Sequence, residues 1–227
     1  MDSGVWNMIS MAGAFLTLFA LAEGLYHWGN MAAESTRKLV HVGTGLLALL
    51  FPITLGNHWQ VLLLCSIFAV FLMLSMKYGL LQSINAIRRE SYGSLGYPAA
   101  VYCSFLAFEY FDKQYIYYYL PIVILAICDP FAAYVGRKKR YKPYRVGKDI
   151  KTVGGSLAFF CSAILVTAGI YLYLRNFPGI WRFAGIALSV GLCATLAEAR
   201  SKKGFDNITI PAAVLVVLII MEQFIYR

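Results

Sequence analysis

Residues 128–160 read CDPFAAYVGRKKRYKPYRVGKDIKTVGGSLAFF, and the rest of the chain is organised around them. An acidic residue, Asp129, lies inside an apolar run. Eight Lys and Arg residues follow between positions 137 and 151, and Gly-Gly-Ser opens the next apolar run at Gly154. A carboxylate, a cluster of cations and a glycine-rich helix start are groups that can hold a metal-bound polyphosphate. The stretch therefore predicts a phosphate-binding site.

The composition of the whole chain is that of a membrane protein. Hydrophobic residues make up 60% of the 227 residues and charged residues 14%, with a mean hydropathy of +0.66, whereas about a quarter of the residues of a soluble domain are charged. The first apolar run, Val5 to Tyr26, lacks a basic start and is too long for a signal peptide. We predict one transmembrane domain over residues 1–227, built as an all-α polytopic helical bundle.

The net charge of +9 raises the question of nucleic-acid binding. The basic residues occupy short loops between hydrophobic spans, so a membrane surface or a phosphate group is the better partner. We therefore predict no nucleic-acid partner. The five cysteines lack the spacing that a zinc site requires.

Hydrophobic runs predict about eight transmembrane helices, near residues 5–26, 37–55, 59–76, 93–109, 114–135, 154–175, 181–198 and 208–225. All but four of the 20 Lys and Arg residues lie in alternate connections beginning with the first, Arg88 and Arg89 among them. The exceptions are Lys113, Arg175, Arg182 and Arg227. Because cytoplasmic loops are enriched in Lys and Arg, this alternation predicts both termini on the non-cytoplasmic side.

The second span begins with ionisable residues at its cytoplasmic end. Arg37 and His41 are four residues apart and share a helix face, so Arg37 is a candidate phosphate ligand and His41 a candidate to orient or accept a proton. The alternatives are that Arg37 and Lys38 anchor the helix at the interface and that His41 is an interior histidine with a structural partner. We favour the functional interpretation for the Arg37–His41 pair and the anchor interpretation for Lys38.

Asp129 lies within the fifth span, where a charged residue is costly and usually faces a protein interior or an aqueous cavity. Pro130 follows it, and a proline disfavours helical geometry at the residue before it and removes a backbone hydrogen bond. We therefore expect the helix to be broken or kinked at Asp129, with polar backbone facing an internal cavity. A structural salt bridge to a neighbouring arginine is the alternative.

The segment from Arg137 to Arg145 is predicted to be a solvated or headgroup-binding loop. Lys148 and Lys151 come just before Gly155 and Ser156, where the sixth helix is expected to start near Gly154. Free N–H groups and the positive dipole end of that helix, next to two lysines, form an anion site. The segment is not a Walker A loop, and helix packing is the alternative role for the glycines.

Oxygen ligands are concentrated at the end of the seventh span and the start of the eighth. Glu198 is a candidate to ligate a metal, to pair with an arginine, or to lie at the interface. Asp206 and Asn207 are further oxygen donors beside the same surface, while Thr209 is expected to be the N-cap of the eighth helix.

The motifs ESTRKLVHVGTG, GSLGYP, CDPFAAYVGR with GKDIKTVGGSLAFF, ATLAE and FDNITIP resemble, in this order, the dolichol, phytol and polyprenol kinase superfamily, whose distant relatives make CDP-diacylglycerol. The resemblance covers the chain from Arg37 to Pro211. It implies a multi-pass membrane enzyme that uses CTP and Mg²⁺ to phosphorylate an isoprenoid alcohol in the bilayer at the cytoplasmic face. It does not choose the lipid.

Carried over by position, the resemblance implies catalytic roles for Asp129, His41 and Glu198 and metal ligation by Asp129, Asp206 and Glu198. The nucleotide-binding residues it implies are Arg37, Lys38, Gly136, Lys148, Lys151, Gly155, Ser156 and Asn207. The Asp129-Pro130 pair departs from the small residue expected after the aspartate, which puts the local backbone in question.

Two alternative functions fit the same residues less well. A phosphatidate cytidylyltransferase would use the same nucleotide but attack its innermost phosphorus. A transporter or lipid-binding protein would use Asp129 to carry a proton or ion, but that class requires polar groups at matching depths in two repeated halves, and no such repeat is visible. The sequence leaves a homo-oligomer open.

Overall fold

The computed structural model describes residues 3–86, 93–175 and 177–225. The helices are α1 (Ser3–His27), α2 (Ala33–Ala48), α3 (Phe51–Thr54), α4 (His58–Tyr78), α5 (Gln82–Asn85), α6 (Gly93–Tyr110), α7 (Ile116–Val123), α8 (Asp129–Lys139), α9 (Val153–Tyr173), α10 (Ile180–Arg200) and α11 (Asp206–Ile220). Two π-helical segments, Ile124–Cys128 and Met221–Ile225, continue α7 and α11. The strands are β1 (Pro143–Val146) and β2 (Asp149–Thr152).

This architecture confirms an all-α polytopic membrane protein. Within the described residues, six helices are long and apolar enough to cross a membrane, namely Gly4–His27, His58–Tyr78, Ile116–Lys139, Val153–Tyr173, Ile180–Arg200 and Asp206–Phe224. The second and fourth predicted spans coincide with α2, which has 16 residues and is followed by α3, and with α6, which has 18 residues. A total of eight spans and the side on which the termini lie therefore stay predictions. Arg88, Arg89 and Arg227 of the charge pattern lie outside the described residues.

The continuous segment Ile116–Lys139 forms the centre of the bundle. Of its membrane window 56% is buried, against 22–39% for the other five candidate spans. Its first half supplies Tyr117, Tyr118 and Ile122, all fully buried, to a core shared with α6, α9 and α11. Because Asp129 lies on this central segment, its carboxylate is surrounded by protein rather than lipid.

The expected break at Asp129 is wrong. Asp129 has helical dihedral angles (φ −65°, ψ −52°) and begins α8 directly after the π-helical segment. Proline is tolerated in the first turn of a helix, and the π segment absorbs the irregularity one turn earlier. In π spacing the carbonyl of Leu125 would pair with the N–H of residue 130, which a proline lacks. The polar backbone is therefore exposed to the interior at Leu125.

The predicted loop after the fifth span is more ordered than expected. Helix α8 continues to Lys139, and β1 pairs antiparallel with β2, with Pro143 opposite Thr152 and Val146 opposite Asp149. Gly147 adopts the left-handed conformation (φ +62°) that the turn requires. The hairpin thus brings the end of α8 back to the start of α9.

A short helix, α5, is fastened to the first two helices by buried polar groups. Glu23 of α1 accepts hydrogen bonds from the N–H and the hydroxyl of Ser83, at 2.9 and 2.6 Å. The hydroxyl of Thr36 on α2 donates to the Ser83 carbonyl at 2.6 Å. Ile84 next to this anchor packs against Phe19 of α1 and Val40 of α2 in a small apolar cluster.

Candidate active site

A polar cavity of about 640 Å³ lies among α2, α8, the hairpin and the facing ends of α9, α10 and α11. It is lined by all but one of the residues that the sequence singled out: Arg37, Lys38, His41, Asp129, Gly136, Lys151, Gly155, Ser156, Glu198, Asp206 and Asn207. The exception is Lys148, which is exposed at the hairpin turn outside this lining. The structure thus gathers residues from all five sequence motifs into one cavity, with Gly93 lining it from GSLGYP.

Charged residues of both signs line the cavity. Its described lining includes five Lys or Arg side chains and five Asp or Glu side chains. Four of the cations, Arg37, Lys38, Arg137 and Arg140, come from α2, α8 and the residue that ends α8, whereas Glu198 and Asp206 come from α10 and α11. One wall can therefore hold an anion while the other can hold a cation.

Glu34, which the sequence analysis did not select, organises the cationic wall. Its Oε1 accepts hydrogen bonds from Arg37 Nη2 at 3.0 Å and from Arg137 Nη1 at 3.3 Å. One carboxylate thus orients two guanidinium groups from two helices and leaves the group positively charged. The i,i+3 spacing of Glu34 and Arg37 was a signal for the first of these contacts.

Lys38 also points into the cavity. Its Nζ lies 3.4 Å from the carbonyl oxygen of Pro130, next to Asp129. A lysine that anchors a helix at the interface extends toward the headgroups instead. This placement favours a role in the cavity over the anchor role that we favoured from the sequence.

His41 satisfies the backbone group that the π segment leaves free. Its Nε2 lies 3.0 Å from the carbonyl oxygen of Leu125, which can only accept, so Nε2 carries the proton and donates. The Asp129 Oδ2 atom is 4.0 Å from the same nitrogen, beyond hydrogen-bonding distance. His41 therefore has the structural partner of the alternative interpretation.

Close approach of α2 to the π segment fixes this contact. Gly45 is buried, and a Cβ atom there would collide with Ala126 and with the hydroxyl of Tyr97. Tyr97 also donates to the carbonyl of His41 at 3.3 Å and packs its ring edge-on against the imidazole. Gly45 thus sets the distance at which His41 meets Leu125.

Asp129 has no hydrogen-bond partner for its side chain within the described ranges. The carboxylate retains 23% of its exposure, toward the cavity, and forms no salt bridge with an arginine among the residues described. The carboxylates of Asp206 and Glu198 lie within electrostatic range. The structure thus speaks against the salt-bridge alternative and leaves an unpaired carboxylate in the cavity wall.

Lys151 and Glu198 form a buried ion pair. The Nζ of Lys151 is 2.7 Å from Glu198 Oε1 and also contacts the Glu198 backbone carbonyl. The second oxygen, Oε2, is buried and has no hydrogen-bond partner in the described part of the chain, and the same holds for the hydroxyl of Thr195 one turn earlier. Glu198 is therefore only half satisfied, because one of its two carboxylate oxygens is buried without a partner among the described residues.

The start of the sixth predicted span agrees with expectation within one residue, because α9 begins at Val153. Thr152 is its N-cap, and its Oγ1 accepts the Gly155 N–H at 3.0 Å. A Cβ at Gly155 would lie 3.0 Å from the Ala132 carbonyl, and one at Gly136 would lie 2.7 Å from Thr152 Oγ1. These two glycines let α8 and α9 touch, so the helix-packing role applies to both.

Ser156 and Asn207 connect elements around the cavity. The hydroxyls of Ser156 and Tyr144 are 2.9 Å apart, which ties the hairpin to α9. The Asn207 side chain donates to the Gly93 carbonyl at 2.7 Å and so joins α11 to the start of α6.

The N-cap prediction for Thr209 is wrong, because α11 already begins at Asp206. The Thr209 hydroxyl instead contacts the hydroxyl of Ser201.

The carboxylates fit Mg²⁺ bound together with a phosphate better than an all-protein metal site. No group of three or more His, Cys, Asp or Glu side chains in the described residues is arranged to hold a metal ion. Mg²⁺ is usually held by one or two carboxylates plus substrate phosphates and water. Asp129, whose carboxylate is exposed toward the cavity, meets that requirement together with Asp206 or Glu198 in the same lining.

Fold and cavity together define a multi-pass helical membrane protein with a charged site built from its helix ends. Over 210 residues the chain is 29% identical to a phytol kinase of Synechocystis sp., a match that covers 91% of this chain and 88% of the relative. This similarity supports assignment of the chain to the polyprenol and phytol kinase superfamily, which the sequence motifs indicated. No family model matches the chain. No solved structure matches it.

Proposed function

We propose that the protein is a lipid kinase that transfers the terminal phosphoryl group of CTP to a long-chain isoprenoid alcohol at the cytoplasmic membrane face. Similarity to a phytol kinase supports the kinase class and a lipid alcohol as acceptor. The motif order and the loop charges support CTP and the cytoplasmic face. The proposal rests above all on Asp129, a carboxylate without a hydrogen-bond partner among the described residues, in the same cavity as the cationic side chains of α2 and α8.

The cationic wall is the proposed phosphate site. Arg37 and Arg137, held side by side by Glu34, can each present further N–H donors to phosphate oxygens. Lys38 adds a charge near Asp129. Lys151 contributes only if the nucleotide draws it from Glu198, so its role in this scheme is coupled to that of Glu198.

Mg²⁺ would be held by Asp129 with Asp206 or Glu198, and it would neutralise charge on the phosphates. The protein's own contribution is to position the two substrates and to compensate charge.

In the proposed reaction the alcohol oxygen attacks the terminal phosphorus of CTP. The bond between that phosphorus and the bridging oxygen breaks, CDP leaves with that oxygen, and the alcohol loses its proton. Of the three candidates to accept that proton, Glu198 is paired with Lys151, and His41 is held through Nε2 by the Leu125 carbonyl, which gives it a positioning role. Asp129 has free acceptor oxygens in the cavity and is our choice.

The test uses purified protein, a panel of prenols and CTP labelled at the terminal phosphate. We expect label in a prenyl phosphate, dependence on a divalent cation, and loss of turnover in Asp129→Asn. The matched control is Asp112→Asn, an exposed aspartate in the turn after α6 with φ +51°, a conformation that asparagine also adopts.

Label that stays in water-soluble products would contradict the kinase proposal. A second reaction uses CTP labelled at the innermost phosphate. Entry of that label into a lipid, with release of pyrophosphate, would identify cytidylyl transfer instead. Preference for ATP in a competition assay would overturn only the choice of CTP and would leave the kinase proposal in place.

A further inference from the structure

A second cavity, of about 260 Å³, lies between α1, α2, α4 and α6. Its walls are mainly apolar and include Phe15, Leu64, Phe68 and Val101. The polar site does not account for this space. Its apolar part has no groups to hold water and is suited to apolar ligands, whereas its polar lining residues lie toward one end and around α5.

The two cavities are adjacent. Arg37, His41 and Asn207 line both of them. From there, Val40, Thr44 and Ala48 continue along one face of α2 into the apolar cavity. From Arg37 to Ala48 this stripe extends for about 16 Å at 1.5 Å per residue. A molecule that is polar at one end and apolar along its length fits this arrangement.

The opposite face of α2 is different. Leu39 and Leu46 on that face are exposed on the outside of the bundle. The cavity is therefore an internal space behind α2 and not part of the outer apolar surface. On another side Ile84 and Asn85 of α5 line it, and the bonds from Glu23 and Thr36 to Ser83 hold this short helix in place.

We infer that the apolar cavity binds the hydrocarbon chain of the lipid alcohol next to its hydroxyl, and that the hydroxyl lies between Arg37, His41 and Asn207. This inference rests on the proposed function for the identity of the ligand. It adds the location: the acceptor reaches the phosphate site from inside the bundle, along α2, rather than from the outer surface of α8.

The first experiment maps the site on the unmodified protein. A prenol analogue with a diazirine in its hydrocarbon chain is photolysed with the protein in lipid nanodiscs, and adducts are located by mass spectrometry. We expect adducts on α2, α4 and α6 residues that line the cavity, and their loss when unlabelled prenol is added in excess.

The second experiment fills the cavity. Cys65 lines it and is buried, so Cys65→Phe inserts a ring into the space. We expect adduct yield to fall about tenfold or more, and KM for the prenol to rise while KM for the nucleotide stays the same. Cys161→Phe is the matched control, because Cys161 is exposed on α9 and lines neither cavity.

The outcomes separate this inference from the proposed function. Adducts confined to outward residues such as Leu46, with prenyl phosphate still formed, would overturn the site and leave the kinase intact. Competed adducts in the cavity without lipid phosphate from any nucleotide would support the site and overturn the kinase. Should Cys65→Phe fail to fold, the adduct map of the unmodified protein decides.

Discussion

Lys151 on β2 and Glu198 at the end of α10 form an ion pair, with Nζ 2.7 Å from Oε1, although 47 positions separate them in the sequence. Their side chains retain only 14% and 11% of their exposure, so the two charges depend on one another. The pair links the hairpin to the acidic wall of the cavity. A substitution on either side therefore affects both folding and the site.

We expect Lys151→Ala to lower both stability and turnover. Removing one partner leaves a buried carboxylate uncompensated, which costs about 3 kcal/mol of unfolding free energy. Thermal unfolding in detergent and turnover of labelled CTP measure the two effects. Adding Glu198→Gln should restore much of the stability but not the turnover.

Lys148→Ala tests a residue for which the prediction from the sequence and the position in the structure differ. Both lysines were predicted to bind phosphate, but Lys148 lies exposed at the turn. We expect its removal to change KM for the nucleotide by less than about threefold, within the range of a surface charge. An equal loss in both variants would show that Lys148 reaches the nucleotide.

Asp129→Asn is expected to abolish turnover while leaving the fold intact or slightly more stable. Among the described residues the carboxylate has no hydrogen-bond partner to lose, and an amide is less costly to bury than a charge. A loss of about 10²-fold or more in kcat is typical for a proton acceptor. A variant that unfolds more easily than the parent would indicate a structural role for Asp129.

The hydrogen bond from His41 to Leu125 predicts that substitutions at His41 and Pro130 have non-additive effects on the free energy of unfolding. We expect His41→Ala to cost about 1–3 kcal/mol, because it leaves the Leu125 carbonyl unsatisfied. In a Pro130→Ala background the N–H of residue 130 can serve that carbonyl, so the same substitution should cost less. A double-mutant cycle of unfolding free energies measures the coupling.

Additive changes in unfolding free energy in that cycle would contradict the structural role of His41. His41→Gln provides a second check, since its amide can still donate. We expect it to keep most of the turnover, because the proposed mechanism assigns the proton to Asp129 and leaves His41 a positioning role.

Two glycines on α9 provide a matched test of helix contact. A Cβ at Gly155 would press on the Ala132 carbonyl, whereas one at Gly169 would meet nothing within 4 Å. We expect Gly155→Ala to destabilise the protein and lower turnover, and Gly169→Ala to stabilise it by up to about 1 kcal/mol through helix propensity. Equal melting temperatures for both variants would argue against the close contact of α8 and α9.

The sequence predicted the helical class and most helix positions, and all but one of its candidate site residues line the cavity. Apolar run length and loop charge carry that information locally. It did not predict that α7 and α8 are continuous through Pro130. The Leu125 carbonyl that the proline leaves without an N–H partner is instead hydrogen-bonded by His41, which is 84 positions from Leu125. Nor did it predict the hairpin, since a run rich in Lys, Arg and Tyr has the composition of a solvated loop. Pairing of β1 with β2 depends on a turn at Gly147 and on the contact between Tyr144 and Ser156.

Gly45 determines where acceptor specificity can be altered. Gly45 packs α2 closely against the π segment, and Arg37 and His41 lie on the same helix. Substitutions of the α2 residues that line the apolar cavity would therefore shift Arg37 and His41 as well as the proposed lipid chain. The facing walls on α4 and α6, represented by Leu64 and Val101, carry no such constraint. Enzyme engineering toward longer, shorter or more saturated alcohols should therefore vary those two helices and keep α2 unchanged.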